Sequence, residues 1–217
     1  MARRRTYTEN RRRTAVDYAR RGPAREPYAL VLIVCEGAKT EPNYFNGLRI
    51  AERLSSANIK VTPADGSDPM SIVQYAERFA AAYDKVFCVF DRDEHANYDA
   101  AVQRISQSSL GQTGQLVAIT SWPCFELWML LHFRYSSAAI AVAGGRTSGE
   151  MTCRELRRHI PEYQKGRKAI YDELLPRRAT ALTNAARLKQ ENSRTGTSNP
   201  STRVHELVNY LLHLRQI

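Results

Sequence analysis

The stretch LVLIVCEGAKTEPNYF, residues 30–45, decides the fold of this chain. It begins with an unbroken apolar run, much of it β-branched, and then meets Glu36 and Gly37. Such a run indicates a strand that is buried on both faces, and the glycine indicates a turn that ends it. The segment therefore predicts a buried strand over residues 30–35 that delivers the acidic side chain of Glu36 to a turn.

A second stretch, VFCVF at residues 86–90, repeats this plan and runs directly into DRDEH at residues 91–95. If the two strands are parallel in one sheet, their carboxyl ends lie at the same edge. Open α/β sheets bind their ligands at that edge. We therefore expect Glu36, Asp91 and Asp93 to lie close together.

Strands alternate with helices through the rest of this region. Helical spacing and capping residues predict helices that follow the strands, with Thr40 as the N-cap of the first. The pattern predicts a mostly parallel sheet covered by helices on both faces, which is an α/β fold. Further strands are expected over residues 59–62 and 116–120, and helices over residues 41–55, 68–79, 98–107 and 124–133.

Composition places the chain among soluble globular proteins. It has 217 residues, of which 43% are hydrophobic and 25% charged, as expected for one ordinary domain or for one domain with a small appendage. The four cysteines are widely spaced, which favours free thiols over disulfides or structural zinc. Its longest apolar run is too short to span a bilayer and starts too late for a signal peptide, so we expect no membrane association and a cytoplasmic location.

Charge is distributed unevenly along the chain, whose formal net charge is +10. Residues 1–26 carry nine arginines and three acids (+6), residues 27–145 nine basic and twelve acidic residues (−3), and residues 146–217 fourteen and seven (+7). Basic ends around an acidic middle favour a polyanionic partner, most often nucleic acid. The alternative is that these charges serve only solubility.

These composition shifts divide the chain into three parts. Residues 1–27 are expected to be a basic, flexible N-terminal arm, and residues 28–142 to be the α/β domain. Residues 143–217 are expected to be a basic helical extension packed on that domain. Its helices are predicted around residues 153–160, 168–174, 179–191 and 203–214.

The predicted acidic edge favours a divalent metal ion. Mg²⁺ takes hard oxygen ligands, commonly one or two carboxylates with water and substrate phosphate. Asp91 and Asp93 are two positions apart, so at an extended strand end both point to the same side. Crowding them with Glu36 is costly unless a metal or a basic side chain such as Lys39 offsets the charge. The alternative is that Glu36 caps a helix and that residues 91–95 form an ordinary polar loop.

Several other side chains are candidates for the same site. Glu126 lies in the most apolar predicted helix, where an acid needs a partner or a cation. His132 in that helix is a weaker candidate, more typical of a core-edge histidine. In the extension, Tyr163, Lys165 and Lys168 are candidates for a phosphate contact or for stabilising a transition state. The alternative for Lys165 and Lys168, and the more usual one, is that they are surface lysines.

The segment GAKT, residues 37–40, is not an NTP-binding loop. Such a loop needs glycine directly before the lysine and an earlier glycine, whereas Ala38 separates Gly37 from Lys39. Lys39 remains a candidate for approaching a scissile phosphate.

Four motifs together resemble the RloB family. They are CEGAKTEPNYF (residues 35–45), FDRDEH (90–95), PCFELW with the following LLHF (123–133), and NPST (199–202). The resemblance implies a core similar to the Toprim fold, in which a glutamate after the first strand and an Asp-x-Asp pair after the third bind Mg²⁺. Glu36, Asp91 and Asp93 match those positions, and Glu41, Glu94 and Glu126 match acids typical of the RloB family.

The resemblance also implies a function. RloB proteins are found in bacterial defence loci, often beside an ATPase partner called RloA. We therefore expect a Mg²⁺- or Mn²⁺-dependent nuclease in an anti-phage (abortive infection) system. Its candidate substrates are DNA and RNA, tRNA included, and a homo-oligomer is a candidate assembly. Glu36, Asp91 and Asp93 would hold the metal, Glu41 and Glu126 would hold a second ion or orient water, and Lys39 is a further catalytic candidate. Two alternatives stay open: a non-catalytic nucleic-acid-binding or regulatory subunit, and a primase-like nucleotidyl transferase.

Overall fold

The core of the protein is a five-stranded sheet in the order β2-β1-β3-β4-β5. A computed structural model describes residues 29–92 and 95–214, so the predicted arm at residues 1–27 lies outside the described residues. The first four strands are parallel, and β5 runs antiparallel to β4. The predicted mostly parallel α/β sheet is therefore confirmed. The strands are β1 (Val31–Cys35), β2 (Ile59–Pro63), β3 (Lys85–Asp91), β4 (Leu116–Trp122) and β5 (Ser201–Thr202).

Both faces of the sheet are covered by helices. Along β1, Ile33 and Cys35 pack into one apolar cluster, while Leu32 and Val34 pack into another on the opposite face. All of β1 is buried, as the unbroken apolar run predicts. The helices are α1 (Thr40–Ala51), α2 (Pro69–Phe79), α3 (Tyr98–Gln107), α4 (Ser109–Gln112), α5 (Glu126–Leu130), α6 (Ser148–Arg157), α7 (Ile170–Leu174), α8 (Arg178–Thr195) and α9 (Val204–His213).

The helices divide unequally between the two faces. Helices α2 to α4 contribute to the cluster on the Leu32 face, and α1 and α5 to α9 contribute to the cluster on the Ile33 face. Tyr44 of α1 lies at the centre of the second cluster, with edge-to-face contacts to Phe125, Trp128 and Tyr171. Buried aromatic side chains of this size contribute about 1.5–3 kcal/mol each through lost contact with water. The helices after residue 143 thus share one apolar core with the sheet.

The start of α1 differs from the prediction. Thr40 is the first helical residue, Lys39 occupies the N-cap position, and no side chain caps this helix end. The Thr40 hydroxyl instead accepts a hydrogen bond from the Gly166 amide at 3.0 Å. Prediction of Thr40 as the N-cap was wrong because a tertiary contact takes its hydroxyl.

The region around β4 differs as well. Strand β4 continues to Trp122, because Ser121 and Trp122 pair with the short strand β5, which the sequence did not predict. The apolar helix expected over residues 124–133 is correspondingly reduced to α5, Glu126–Leu130, flanked by turns.

Within the described residues, no helix is both long enough and apolar enough to cross a bilayer.

Candidate functional site

Glu36 and Asp91 lie side by side where β1 and β3 end. The Glu36 amide donates to the Val89 carbonyl at 3.0 Å, so the pairing of the two strands continues one residue beyond β1. The Glu36 carboxylate then turns back, and its Oε2 accepts a hydrogen bond from the Asp91 amide at 2.8 Å. The two acids expected at one sheet edge are therefore brought together.

His95 also contacts the Glu36 carboxylate. Its Nε2 lies 3.0 Å from Glu36 Oε1, so a protonated His95 forms an ion pair with Glu36. Sequence reasoning did not single out His95. The signal was present, because His95 lies in the DRDEH segment that follows β3, where a side chain can turn back over the strand ends.

Glu41 approaches the same edge from the first turn of α1. Its side chain is 7% exposed, and a β-carbon at Gly37 would lie 2.5 Å from Glu41 Oε2. Gly37 is thus a close-approach glycine that leaves room for the Glu41 carboxyl. Burial raises the pKa of Glu41 to about 7, and the negative charges of Glu126 and Glu36 add to this effect. A carboxyl with that pKa can accept or donate a proton near neutral pH.

Asp91 experiences the same accumulation of negative charge. Its Oδ2 accepts a hydrogen bond from the Phe125 amide at 3.0 Å, which favours the ionised form. Burial nevertheless raises the pKa of Asp91 well above its usual value, and Glu41, Glu36 and Glu126 raise it further. Four carboxyl groups from three parts of the chain therefore interact electrostatically at one sheet edge. Such shifted groups are typical of functional sites.

Glu126 is the most deeply buried of these acids, with 2% of its surface exposed. The Tyr163 hydroxyl donates to its Oε1 at 2.8 Å, and Lys165 Nζ lies 3.8 Å from the same oxygen. Burial is the largest single influence on Lys165 and lowers its pKa, but the charge of Glu126 acts together with those of Cys124, Cys153 and Asp91, and the net effect raises the pKa of Lys165. The need of a buried acid for partners, which singled out Glu126 in the sequence, is met by two of the candidates from the extension.

The loop that carries Tyr163 and Lys165 is attached to the start of α1. The Gly166 amide donates to Thr40 Oγ1 at 3.0 Å, and the Asn43 side-chain amide donates to the Gly166 carbonyl at 2.7 Å. Gly166 has φ +84°, and a β-carbon there would lie 2.9 Å from the β-carbon of Lys39. The contact therefore needs glycine both for its conformation and for its close approach.

Lys39 is not the side chain that offsets the acids. It is exposed, and its stem lies against Gly166, whereas His95 and Lys165 contact the carboxylates. No contact between Lys39 and Glu36, Asp91 or Glu126 is present in the described part of the chain. Its predicted approach to a scissile phosphate stays a prediction.

Two other candidates lie apart from the acids. His132 is buried, its Nδ1 donates to the Trp128 carbonyl at 3.0 Å, and burial lowers its pKa to about 4. It is thus a neutral core histidine packed edge-on against Trp128, in agreement with its interpretation as a core-edge histidine. Lys168 is exposed in the loop before α7.

Asp93, the third predicted metal ligand, lies outside the described residues, as does Glu94. Among residues 29–92 and 95–214, no three His, Cys, Asp or Glu side chains are arranged to hold a metal ion. The donor chemistry nevertheless suits Mg²⁺ or Mn²⁺, because Glu36 and Asp91 supply hard carboxylate oxygens and Mg²⁺ commonly uses one or two of these. Burial, and after it the like charges of Glu41, Glu36 and Glu126, raise the pKa of Asp91, and a cation would relieve this unfavourable setting.

Comparison with known protein families identifies a match over most of the chain. The model of the family described as RloB-like protein matches residues 31–211. This range contains every candidate site residue named above. No curated protein and no solved structure matches the chain.

Proposed function

This chain belongs to the RloB-like protein family, and on that premise we propose that it is a divalent-metal-dependent nuclease that cleaves DNA or RNA phosphodiesters. One observation carries the proposal. The Glu36 carboxylate and the end of β3 are joined by the 2.8 Å hydrogen bond from the Asp91 amide, beside the buried Glu41 and Glu126. A cluster of carboxyls at the carboxyl edge of a parallel sheet is suited to a metal and a phosphate.

In this proposal Glu36, Asp91 and Asp93 hold Mg²⁺ or Mn²⁺. The bound metal would polarise the phosphate and lower the pKa of an attacking water. The hydrogen bond from the Asp91 amide fixes the Glu36 side chain, and the hydrogen bond from the Phe125 amide fixes that of Asp91. Both carboxylates are therefore preorganised, which reduces the cost of arranging them around a cation.

The remaining groups divide the other tasks. Glu41, whose pKa is raised to about 7 by burial and by its acidic neighbours, can accept a proton from a water or return one to a leaving oxygen. Glu126 is held by Tyr163 and would orient water or hold a second ion. Lys165, with 63% of its side chain exposed, can turn its charge toward a phosphate in front of the acids.

The biological setting is part of the proposal. The resemblance to RloB proteins suggests a bacterial anti-phage system of the abortive-infection type, with an RloA-like ATPase as partner and tRNA among the possible substrates. Basic residues outside the acidic middle of the chain provide charge for a nucleic acid.

The test is a cleavage assay on labelled DNA, RNA and tRNA with Mg²⁺ or Mn²⁺, with and without the ATPase partner. Glu36→Gln and Asp91→Asn keep the size of each side chain and remove its charge, so each should lower cleavage by at least about 100-fold. Asp65→Asn is the matched control, because Asp65 is exposed and pairs with Arg78 on the surface. If Asp91→Asn cleaves as fast as the control, the site assignment is wrong.

One observation favours a second candidate function, that of a non-catalytic nucleic-acid-binding or regulatory subunit. The acids already have partners, since His95 contacts Glu36 and both Tyr163 and Lys165 contact Glu126. Acids that are held by protein side chains in this way can be structural. This second function is supported if the chain binds no Mn²⁺ at Glu36 and Asp91, cleaves nothing with its partner present, and still binds nucleic acid.

A further inference from the structure

A basic cavity lies next to the acidic cluster. It has a volume of about 510 Å³ and is bordered by the start of α6 and by the loop that carries Lys165. Its charged lining consists of Arg146, Arg154, Arg157 and Lys165, against the single carboxylate of Glu150.

The Glu150 carboxylate in the cavity lining already accepts a hydrogen bond from the protein. Glu150 belongs to the capping box of α6: its Oε2 accepts a hydrogen bond from the Thr147 amide at 2.9 Å, and its own amide donates to the Thr147 hydroxyl at 3.2 Å. By contrast, no acidic side chain within the described ranges pairs with Arg146 or Arg154. Both arginines are exposed. Among the residues that the structure describes, the cavity therefore presents an excess of positive charge.

The cavity shares one wall with the acidic cluster. Lys165 lines the cavity and also lies 3.8 Å from Glu126 Oε1. Arg157 donates from Nε to the Tyr163 carbonyl at 3.2 Å, and the hydroxyl of the same tyrosine donates to Glu126. A phosphate in the cavity would thus be separated from the acids by only this short segment.

We propose that this cavity binds the sugar-phosphate backbone of a nucleic acid strand whose neighbouring phosphate reaches the acidic cluster. Arginine suits this role because its planar guanidinium can form paired hydrogen bonds with phosphate oxygens. No aromatic side chain in the described residues lines the cavity, so a platform for stacking a base is missing there. Recognition through the cavity is therefore independent of base identity. This inference rests on the proposed nuclease function for its orientation, but the binding itself can be tested separately.

The experiment measures the anisotropy of labelled 20-nucleotide oligo(dT) and oligo(U) binding to the full chain in EDTA. The double variant Arg146→Ala/Arg154→Ala removes two cavity charges and should weaken binding about tenfold or more, while the slope of log K against log salt becomes shallower by about 1.4, which is two contacts at 0.7 each. The control is Arg158→Ala/Arg194→Ala, which removes two exposed arginines that pair with Glu155 and Glu191. The control variant has the same net charge as the cavity variant, and the wild type and both variants all contain residues 1–26.

Several outcomes would overturn the proposal. Equal losses in the two double variants would show a general charge effect, and unchanged binding in the cavity variant would show no role for the cavity. A strong preference for one homopolymer base, dependent on Arg146 and Arg154, would contradict backbone recognition. ATP and inorganic phosphate are tested as competitors of the oligonucleotide. If the cavity binds them, and the Arg146→Ala/Arg154→Ala variant still binds the oligonucleotide with unchanged affinity, the cavity is a site for free phosphates and the proposal is wrong.

Failure of this inference can be distinguished from failure of the proposed function. Asp91→Asn should abolish cleavage and keep oligonucleotide binding, whereas the cavity variant should lose binding even in EDTA. Cleavage that survives Asp91→Asn refutes the nuclease site alone. Wild-type binding by the cavity variant refutes the cavity alone.

Discussion

The Asp91 amide donates a hydrogen bond to Glu36 Oε2 at 2.8 Å, which couples the ends of two strands whose residues are far apart in the chain. If this pair holds a metal, the metal should stabilise the folded protein. At 100 times the Kd the gain in the free energy of unfolding is about 2.7 kcal/mol. We expect Mg²⁺ or Mn²⁺ to raise the Tm of the wild type and of Asp65→Asn, and to leave that of Asp91→Asn unchanged. A full shift in Asp91→Asn would place the metal elsewhere.

A second prediction concerns pH and Glu41. Burial and the neighbouring carboxylates raise the pKa of Glu41 from 4.5 to about 7, so the folded chain binds this proton more tightly than the unfolded chain does. Stability linked to this group is present below pH 4.5 and is lost as the pH rises to about 7. The loss is roughly 3 kcal/mol, and Glu41→Gln should remove it.

Urea unfolding from pH 4 to pH 8 in EDTA measures this effect. Glu41→Gln should gain stability relative to the wild type as the pH rises, and Glu162→Gln, which changes an exposed side chain, is the control. Identical pH profiles for Glu41→Gln and the wild type would contradict the assignment. Added Mg²⁺ should flatten the wild-type profile, because a nearby cation favours the ionised carboxyl.

A third prediction concerns Tyr163. Tyr163→Phe removes the hydroxyl that donates to Glu126 Oε1 at 2.8 Å and leaves a buried acid with one partner fewer. The expected cost is about 1–3 kcal/mol in the free energy of unfolding, together with slower cleavage. Tyr75→Phe is the control, because in the described part of the chain the Tyr75 hydroxyl has no hydrogen bond. Equal stability of the two variants would show that Tyr163 does not support Glu126.

A fourth prediction separates conformation from contact at Gly166. Gly166 and Gly196 have φ of +84° and +71°, but only at Gly166 would a β-carbon meet another side chain, that of Lys39 at 2.9 Å. Changing either glycine to alanine should cost about 1–2 kcal/mol for the left-handed backbone. Gly166→Ala should lose further stability and also cleavage, because its loop carries Lys165. Equal effects in both variants would mean that the loop contact does not position the site.

The sequence was sufficient to predict the parallel strands of the sheet and the proximity of Glu36 and Asp91. Long apolar runs predicted β1 and β3, and parallel pairing then required Glu36 and Asp91 to be neighbours, as they are. Strand β5 was missed because two residues, Ser201–Thr202, are too short to show periodicity.

The long-range contacts could not be predicted in the same way. Thr40 has the chemistry of an N-cap, and nothing local indicates that Gly166, 126 residues later, takes its hydroxyl. The burial of Glu41 likewise depends on the space left by Gly37. Tyr163 and Lys165 were recognised as candidates, but their common partner, Glu126, follows only from the packing of the extension on the sheet.

That packing has a consequence for biosynthesis. A nascent chain leaves the ribosome from its N-terminus, so the acids at residues 36–126 emerge before Tyr163, Lys165 and Gly166. Strand β5, at residues 201–202, is added to the sheet later still. A partly synthesised chain therefore carries the carboxylates without the loop that holds Glu126 in place. If the protein cleaves nucleic acid, that activity therefore arises only after most of the chain has been synthesised.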